Sequence, residues 1–175
     1  MHDQADTPTA PVDDETLNFL HAVLDAVRAG NAAQLTPLLE RGLPANLRSS
    51  KGDSLLMLAS YHGHHEVAGQ LLAHGADPEL QNDQGQTPLL AAAFRGDLGM
   101  TALLLDGGAD VNGAGGDGRT ALMMAAMFGR TDVMEALLNR GADLHARDAG
   151  GHTALDAARR MGAHEAVTFL EGRLA

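Results

Sequence analysis

The densest set of potential metal donors in the chain is His62, His64, His65 and Glu66. Zinc needs three or four convergent ligands, usually supplied by more than one structural element. Three imidazoles crowded into one short segment rarely converge unaided, so no metal site is expected. The segment GAGGDG at 113–118 matches G-x-G-x-x-G literally. A dinucleotide fingerprint also needs a strand before it and a helix after it. That strand–turn–helix context is missing here, and a glycine-rich hairpin tip is the plainer reading. Cys is absent, which removes disulfides, thiolate ligands and Cys nucleophiles. Ser is confined to positions 49, 50, 54 and 60. The acidic pair Asp13–Asp14 suits a helix N-terminus better than a catalytic cleft. No catalytic residue and no cofactor is expected.

The elements that would position any site are written in the composition. Among 175 residues there are 31 Ala, 27 Leu, 7 Val and no Ile, and aromatics make up 3%. A set so poor in β-branched and aromatic residues does not fill a sheet-based core. Ala and Leu head the helix-propensity ranking, and 21 Gly imply short helices with frequent stops. The net charge of −11 argues against nucleic acid as a partner. No stretch approaches the ~18 apolar residues of a membrane span, so no membrane partner is expected. The N-terminus, MHDQADTPTAPVDDE, has neither a cationic start nor an apolar run, and a cytoplasmic monomer is the default expectation.

The strongest signal is internal repetition. Gly-Ala-Asp occurs at Gly75, Gly108 and Gly141, spaced by 33, and a further step back reaches Gly42. Aligned on these glycines, six columns stay in register. They are Gly52, Gly85, Gly118 and Gly151; Ser54, Thr87, Thr120 and Thr153; and Leu56, Leu89, Leu122 and Leu155. The rest are Ala59, Ala92, Ala125 and Ala158; Gly63, Gly96, Gly129 and Gly162; and Leu71, Leu104, Leu137 and Leu170. The Ser/Thr column precedes an apolar run and reads as a helix N-cap. The later Gly column suits the left-handed turn that ends a helix. Each unit is therefore a polar finger followed by two short helices. Pro88 fits the first helical position.

The motifs TPLLAA at 87–92, TALMMAA at 120–126, TALDAA at 153–158 and SLLMLA at 54–59 closely resemble the ankyrin repeat. The resemblance implies an all-α solenoid of stacked helix pairs with β-hairpin or turn fingers. Repeats are expected at 42–74, 75–107, 108–140 and 141–173, the last with the character of a C-terminal cap. Residues 16–41 keep the helical tail of the pattern without a finger and read as a capping helix pair. Pro37 is expected to kink or shorten its second helix. Residues 1–15 read as a flexible acidic tail. In the family a motif His braces each finger; Met57, Leu90, Met123 and Asp156 replace it here, which should soften the fingers. His64 and Glu66 occupy positions where the family commonly carries Gly-His-x-Glu, leaving His62 and His65 as the additional imidazoles.

The resemblance implies protein recognition through the concave groove between inner helices and fingers. The two columns immediately before the inter-helix Gly belong to that surface in the family. One holds Tyr61, Phe94, Met127 and Arg160; the next holds His62, Arg95, Phe128 and Met161. Exposed aromatic and Met residues in series suggest a contact patch. The partner-binding set is thus Met57, Tyr61, His62, Leu90, Phe94, Arg95, Met123, Met127 and Phe128, with Met124 and Met134 assigned to the core. The partner is an unknown protein. Two other readings stay open. One is a regulatory or structural subunit docked to an enzyme, since some small bacterial ankyrin proteins accompany stress-related enzymes. The other is a metal- or small-molecule-binding protein using His62 and His65.

Overall fold

The computed structural model describes residues 13–175; the greater part of the expected N-terminal tail, residues 1–12, lies outside them. Ten helices follow in order: α1 (Asp14–Arg28), α2 (Ala32–Glu40), α3 (Leu55–His62), α4 (His65–Ala73) and α5 (Pro88–Arg95), then α6 (Leu98–Asp106), α7 (Ala121–Met127), α8 (Thr131–Asn139), α9 (Ala154–Met161) and α10 (His164–Leu174). Among the described residues, β-structure is limited to two isolated antiparallel bridges, Arg48 with Ser54 and Ala114 with Thr120. Odd-numbered helices pack on one another in an inner layer and even-numbered helices in an outer layer. The architecture is the all-α solenoid expected from the repeat.

Each inner helix of the four full repeats starts on its Ser or Thr. Ser54, Thr87, Thr120 and Thr153 accept bonds from the backbone N–H three residues on. Such a cap satisfies one of the orphan donors at a helix start. The core lies between the layers, where Leu56, Leu71, Leu89, Leu104, Leu122, Leu137 and Leu170 are fully buried. Ala59, Ala92, Ala125 and Ala158 have no exposed surface. A methyl at that position is the largest side chain that lets successive inner helices come together.

The fingers are tied across repeats by a periodic ladder. Asn46, Glu79 and Asn112 stand 33 residues apart and accept bonds from the N–H of Asp77, Asp110 and Asp143 at 2.8, 2.9 and 2.8 Å. The Asp of each Gly-Ala-Asp turns its own loop by accepting from the N–H two residues later. At the tips, Ser49, Asn82 and Asp148 each accept two backbone N–H groups. The third finger has Gly115 in that column, and Asp117 accepts the Arg119 N–H instead. GAGGDG is therefore part of a finger, bonded to the preceding finger by Gly116 N–H to Gly85 O at 2.9 Å.

Three local features bear on the expectations. Helix α2 is nine residues long, the same as α4, α6 and α8, so Pro37 does not shorten it. Buried Leu35 and Leu39 hold it, and packing outweighs the single missing bond. At the other end, Arg159 and Glu171 replace the apolar or small residues of their columns and pair with each other at 2.7 Å on the surface. Helix α1 has 15 residues against eight in α3, begins inside the expected tail boundary and is capped by Asp13.

Asp97 carries two duties and yields a stability prediction. Its carboxylate caps α6 through the Met100 N–H at 2.9 Å and meets His65 Nε2 of the preceding repeat at 2.8 Å. Partial burial alone would raise its pKa, but the Met100 and His65 hydrogen bonds together win and hold it below the ordinary value. A carboxylate with a depressed folded pKa stabilises the fold above its unfolded pKa and loses that contribution as pH falls through the folded one. Asp97→Ala should cost ~1–2 kcal/mol at neutral pH, mostly from the cap. Asp97→Asn should cost less, because Asn also caps. The gap between wild type and Asp97→Asn in urea unfolding should close as the pH drops below about 4.

Candidate recognition groove

The inner helices and the fingers form the two walls of an open groove of about 840 Å³. Its floor is set by helical spacing. Leu58, Ala91 and Met124 fall three residues before Tyr61, Phe94 and Met127, so both sets share one face of α3, α5 and α7. The finger wall is polar and includes Ser49, Lys51, Asn82, Gln84 and Arg119.

The anchors lie at the C-terminal ends of the inner helices. Tyr61 is 48% exposed and Phe94 is 36% exposed. The Phe94 ring meets Phe128 of the next repeat edge to face, with centroids 4.7 Å apart at 83°. That is a favourable arrangement of two ring quadrupoles. Met127 and Phe128 are half-buried, and Tyr61, Phe94, Met127 and Phe128 all line the groove. His62 also lines it, edge-on to Tyr61 at 5.4 Å. Arg95 is exposed beside these residues and stands outside the groove lining.

Of the three apolar residues that replace the motif His in the first three repeats, Met57 and Leu90 line the groove and Met123 does not. They are 3%, 4% and 1% exposed, and Met123 belongs to the packed core. The first turn of an inner helix faces the finger base, so an apolar residue in the position of the family's His is buried. Met134 is buried as expected, whereas Met124 is half-buried and part of the groove. Leu58 and Ala91 escaped the sequence reading. Stepping back one helical turn from the exposed column would have found them.

The imidazoles do not converge. His64 Nε2 donates to the Arg28 carbonyl at 2.8 Å, while His65 turns to Asp97. His64 reaches the carbonyl by crossing Gly30, where a Cβ would lie 2.5 Å from the ring. Arg130 repeats the device over Gly96, placing Nε 3.4 Å from the Phe94 carbonyl. These two side chains tie the turn before α4 to the end of α1 and the turn before α8 to the end of α5. His62 is left stacked on His64 at 5.9 Å. Partial burial, followed by the positive neighbours His64, Arg95 and Arg28, holds its pKa below the ordinary histidine value. Among the described residues, no group of three or more His, Asp or Glu side chains could hold a metal ion.

Helix pairs stacked through an Ala seam, with polar fingers projecting along one edge, define a helical repeat protein with an open side. A family model described as ankyrin repeats in three copies matches residues 23–114, more than half of the chain. Another, described as ankyrin repeats in many copies, matches residues 103–158. The chain belongs to the ankyrin repeat family. It is also 58% identical over 59 residues to a Pseudomonas aeruginosa protein named as an ankyrin repeat protein, a match spanning 34% of each chain. The aligned part is thus about a third of that relative's length. Ankyrin repeats are generally protein–protein interaction modules. No helix among the described residues is long and apolar enough to cross a membrane.

Proposed function

We propose that this chain recognises a partner protein through the concave groove, as a monomer and without catalysis. The observation that carries the reading is the ridge of Tyr61, Phe94, Met127 and Phe128 beside the groove, with Phe94 more than a third exposed although it abuts Phe128. Buried aromatic anchors dominate interface energetics, and an aromatic held rigid before binding loses little entropy on docking. The cytoplasm is the compartment assigned, on composition alone: a chain without Cys does not depend on oxidising conditions.

Phe94→Ala is the test. Affinity capture from the native host, read by quantitative mass spectrometry, should lose the specific partner, consistent with ~2 kcal/mol or more of binding energy. The circular dichroism spectrum should stay native and the melting temperature should fall by only a few degrees, because the ring is partly exposed. A variant that unfolds, or one that captures its partner undiminished, would sink the proposal.

A further inference from the structure

The floor of the groove is uneven. Leu58, Ala91 and Met124 form one column, a residue from each of α3, α5 and α7, and all three line the groove. Leu58 and Met124 also pack into or against the core, whereas Ala91 stands outside it although only 8% exposed. Its place differs from that of Ala92, which lies in the core and closes the seam between inner helices. A methyl between two long side chains leaves a dip in the floor. Phe94, one helical turn further on, borders the dip on the side of the helix ends. Leu90 borders it on the side of the third finger, its Cδ2 so close that a Cβ on Gly115 would lie 3.0 Å away. The dip has the shape of a seat for one apolar side chain.

The charges around the dip are matched. Arg28 pairs with Asp25 at 2.9 Å, and Arg95 has Asp97 beside it. On the finger side, Lys51 and Arg119 stand among Asp53, Asp83 and Asp117, with Arg119 held by Asp117 at 3.1 Å. His62, with its pKa held low, is neutral at pH 7. A charged side chain entering such a groove gives up its water and finds no free counter-ion. The finger wall still offers uncharged hydrogen-bonding groups to a peptide backbone, among them the exposed Ser50 and Gln84. Resting on the groove being the recognition site, we propose that Ala91 sets its specificity: the partner presents an uncharged segment that seats one large apolar side chain over Ala91, between Phe94 and Leu90. The repeat supplies its own comparison. Leu58 and Met124 hold the same column in the neighbouring units, so the fold accepts a long side chain there. Ala91→Leu should therefore fill the seat and leave the helix pair packed.

The probe is a random phage-displayed peptide library of about 12 residues, selected on the full chain at about 50 mM salt, where charge effects are little screened. Winners should share one aromatic or large aliphatic residue and show no enrichment in Asp, Glu, Lys or Arg. As synthetic peptides they should bind the wild type with a Kd that changes by less than about threefold between about 50 and 500 mM salt. Ala91→Leu should weaken them by about tenfold or more, with a melting temperature within a few degrees of the wild type. Replacing the shared apolar residue of the peptide by Ala should weaken binding to the wild type by a similar factor, a measurement that needs no protein variant to fold. An empty selection, winners dominated by charge, a steep salt dependence or undiminished binding to Ala91→Leu would each overturn the inference. So would dimerisation of the chain that Ala91→Leu breaks, because the seat would then belong to a second copy. Loss of binding in Phe94→Ala with full binding in Ala91→Leu would remove the role of Ala91 and leave the groove standing as the site. If Phe94→Ala binds the winners as the wild type does, the groove itself is not the site, and the broader functional proposal falls with it.

Discussion

Deleting residues 1–41 is expected to turn a dispersed protein into an aggregating one. The deletion removes Val23, Leu24, Val27, Leu35 and Leu39, all buried, and uncovers the inner and outer faces of the next repeat. Each such side chain contributes about 1.5–3 kcal/mol on burial, before the cost of ordering its helix is subtracted. Helices α3 and α4 would then lose the helices they pack against, α1 and α2. Repeat stacks need terminal units with a polar outer face for this reason. Light scattering and circular dichroism on the purified fragment provide the readout, with deletion of 1–12 alone as the baseline. A monomeric fragment of native helicity would show that the first helix pair does not act as a cap.

Gly85→Ala should be among the most damaging single substitutions available, and Gly151→Ala is its matched control. Both glycines occupy the same repeat column with φ of +72° and +78°. A Cβ on either residue incurs the left-handed penalty of ~1–2 kcal/mol. On Gly151 that Cβ meets nothing within 4 Å. On Gly85 it would sit 2.5 Å from the Gly116 backbone nitrogen and 2.6 Å from its Cα. Backbone cannot rotate away as a long side chain can, so the bond from Gly116 N–H to Gly85 O must break or the two fingers must part. Overpacking of this kind adds ~1–3 kcal/mol. Urea unfolding should therefore rank Gly85→Ala below Gly151→Ala by at least ~1 kcal/mol. Equal losses would mean that the second and third fingers do not need their close contact.

The repeat made the architecture readable because its period exceeds any secondary-structure period and recurs without interruption. Gly75, Gly108 and Gly141 set the register, and the Ser/Thr column located the start of each inner helix in the full repeats. The groove was read less completely. The Tyr61 and Phe94 columns were found because they sit near the glycine that ends each helix. The column of Met57, Leu90 and Met123 is divided: the first two line the groove with little exposed surface, while Met123 is packed into the core. Leu58, Ala91 and Met124 fall at the unspecified position of the repeated motif, and their role depends on which side of a short helix faces the fingers. The ladder through Asn46, Glu79 and Asn112 was also hidden, since Asn and Glu share little beyond an oxygen at the right height.

The inter-repeat ladder has a consequence for how the chain folds. No hydrogen bond among the described residues joins partners more than 38 positions apart, the separation of Arg173 from Glu135. Every stabilising partner of a given unit is therefore close along the chain, and loop closure costs stay small however many units are added. Low contact order of this sort goes with rapid folding. During synthesis, each helix pair can dock as soon as the next has left the ribosome, without waiting for the C-terminus. Duplicating or excising a whole internal unit should then change the length of the protein while leaving its folding mechanism the same.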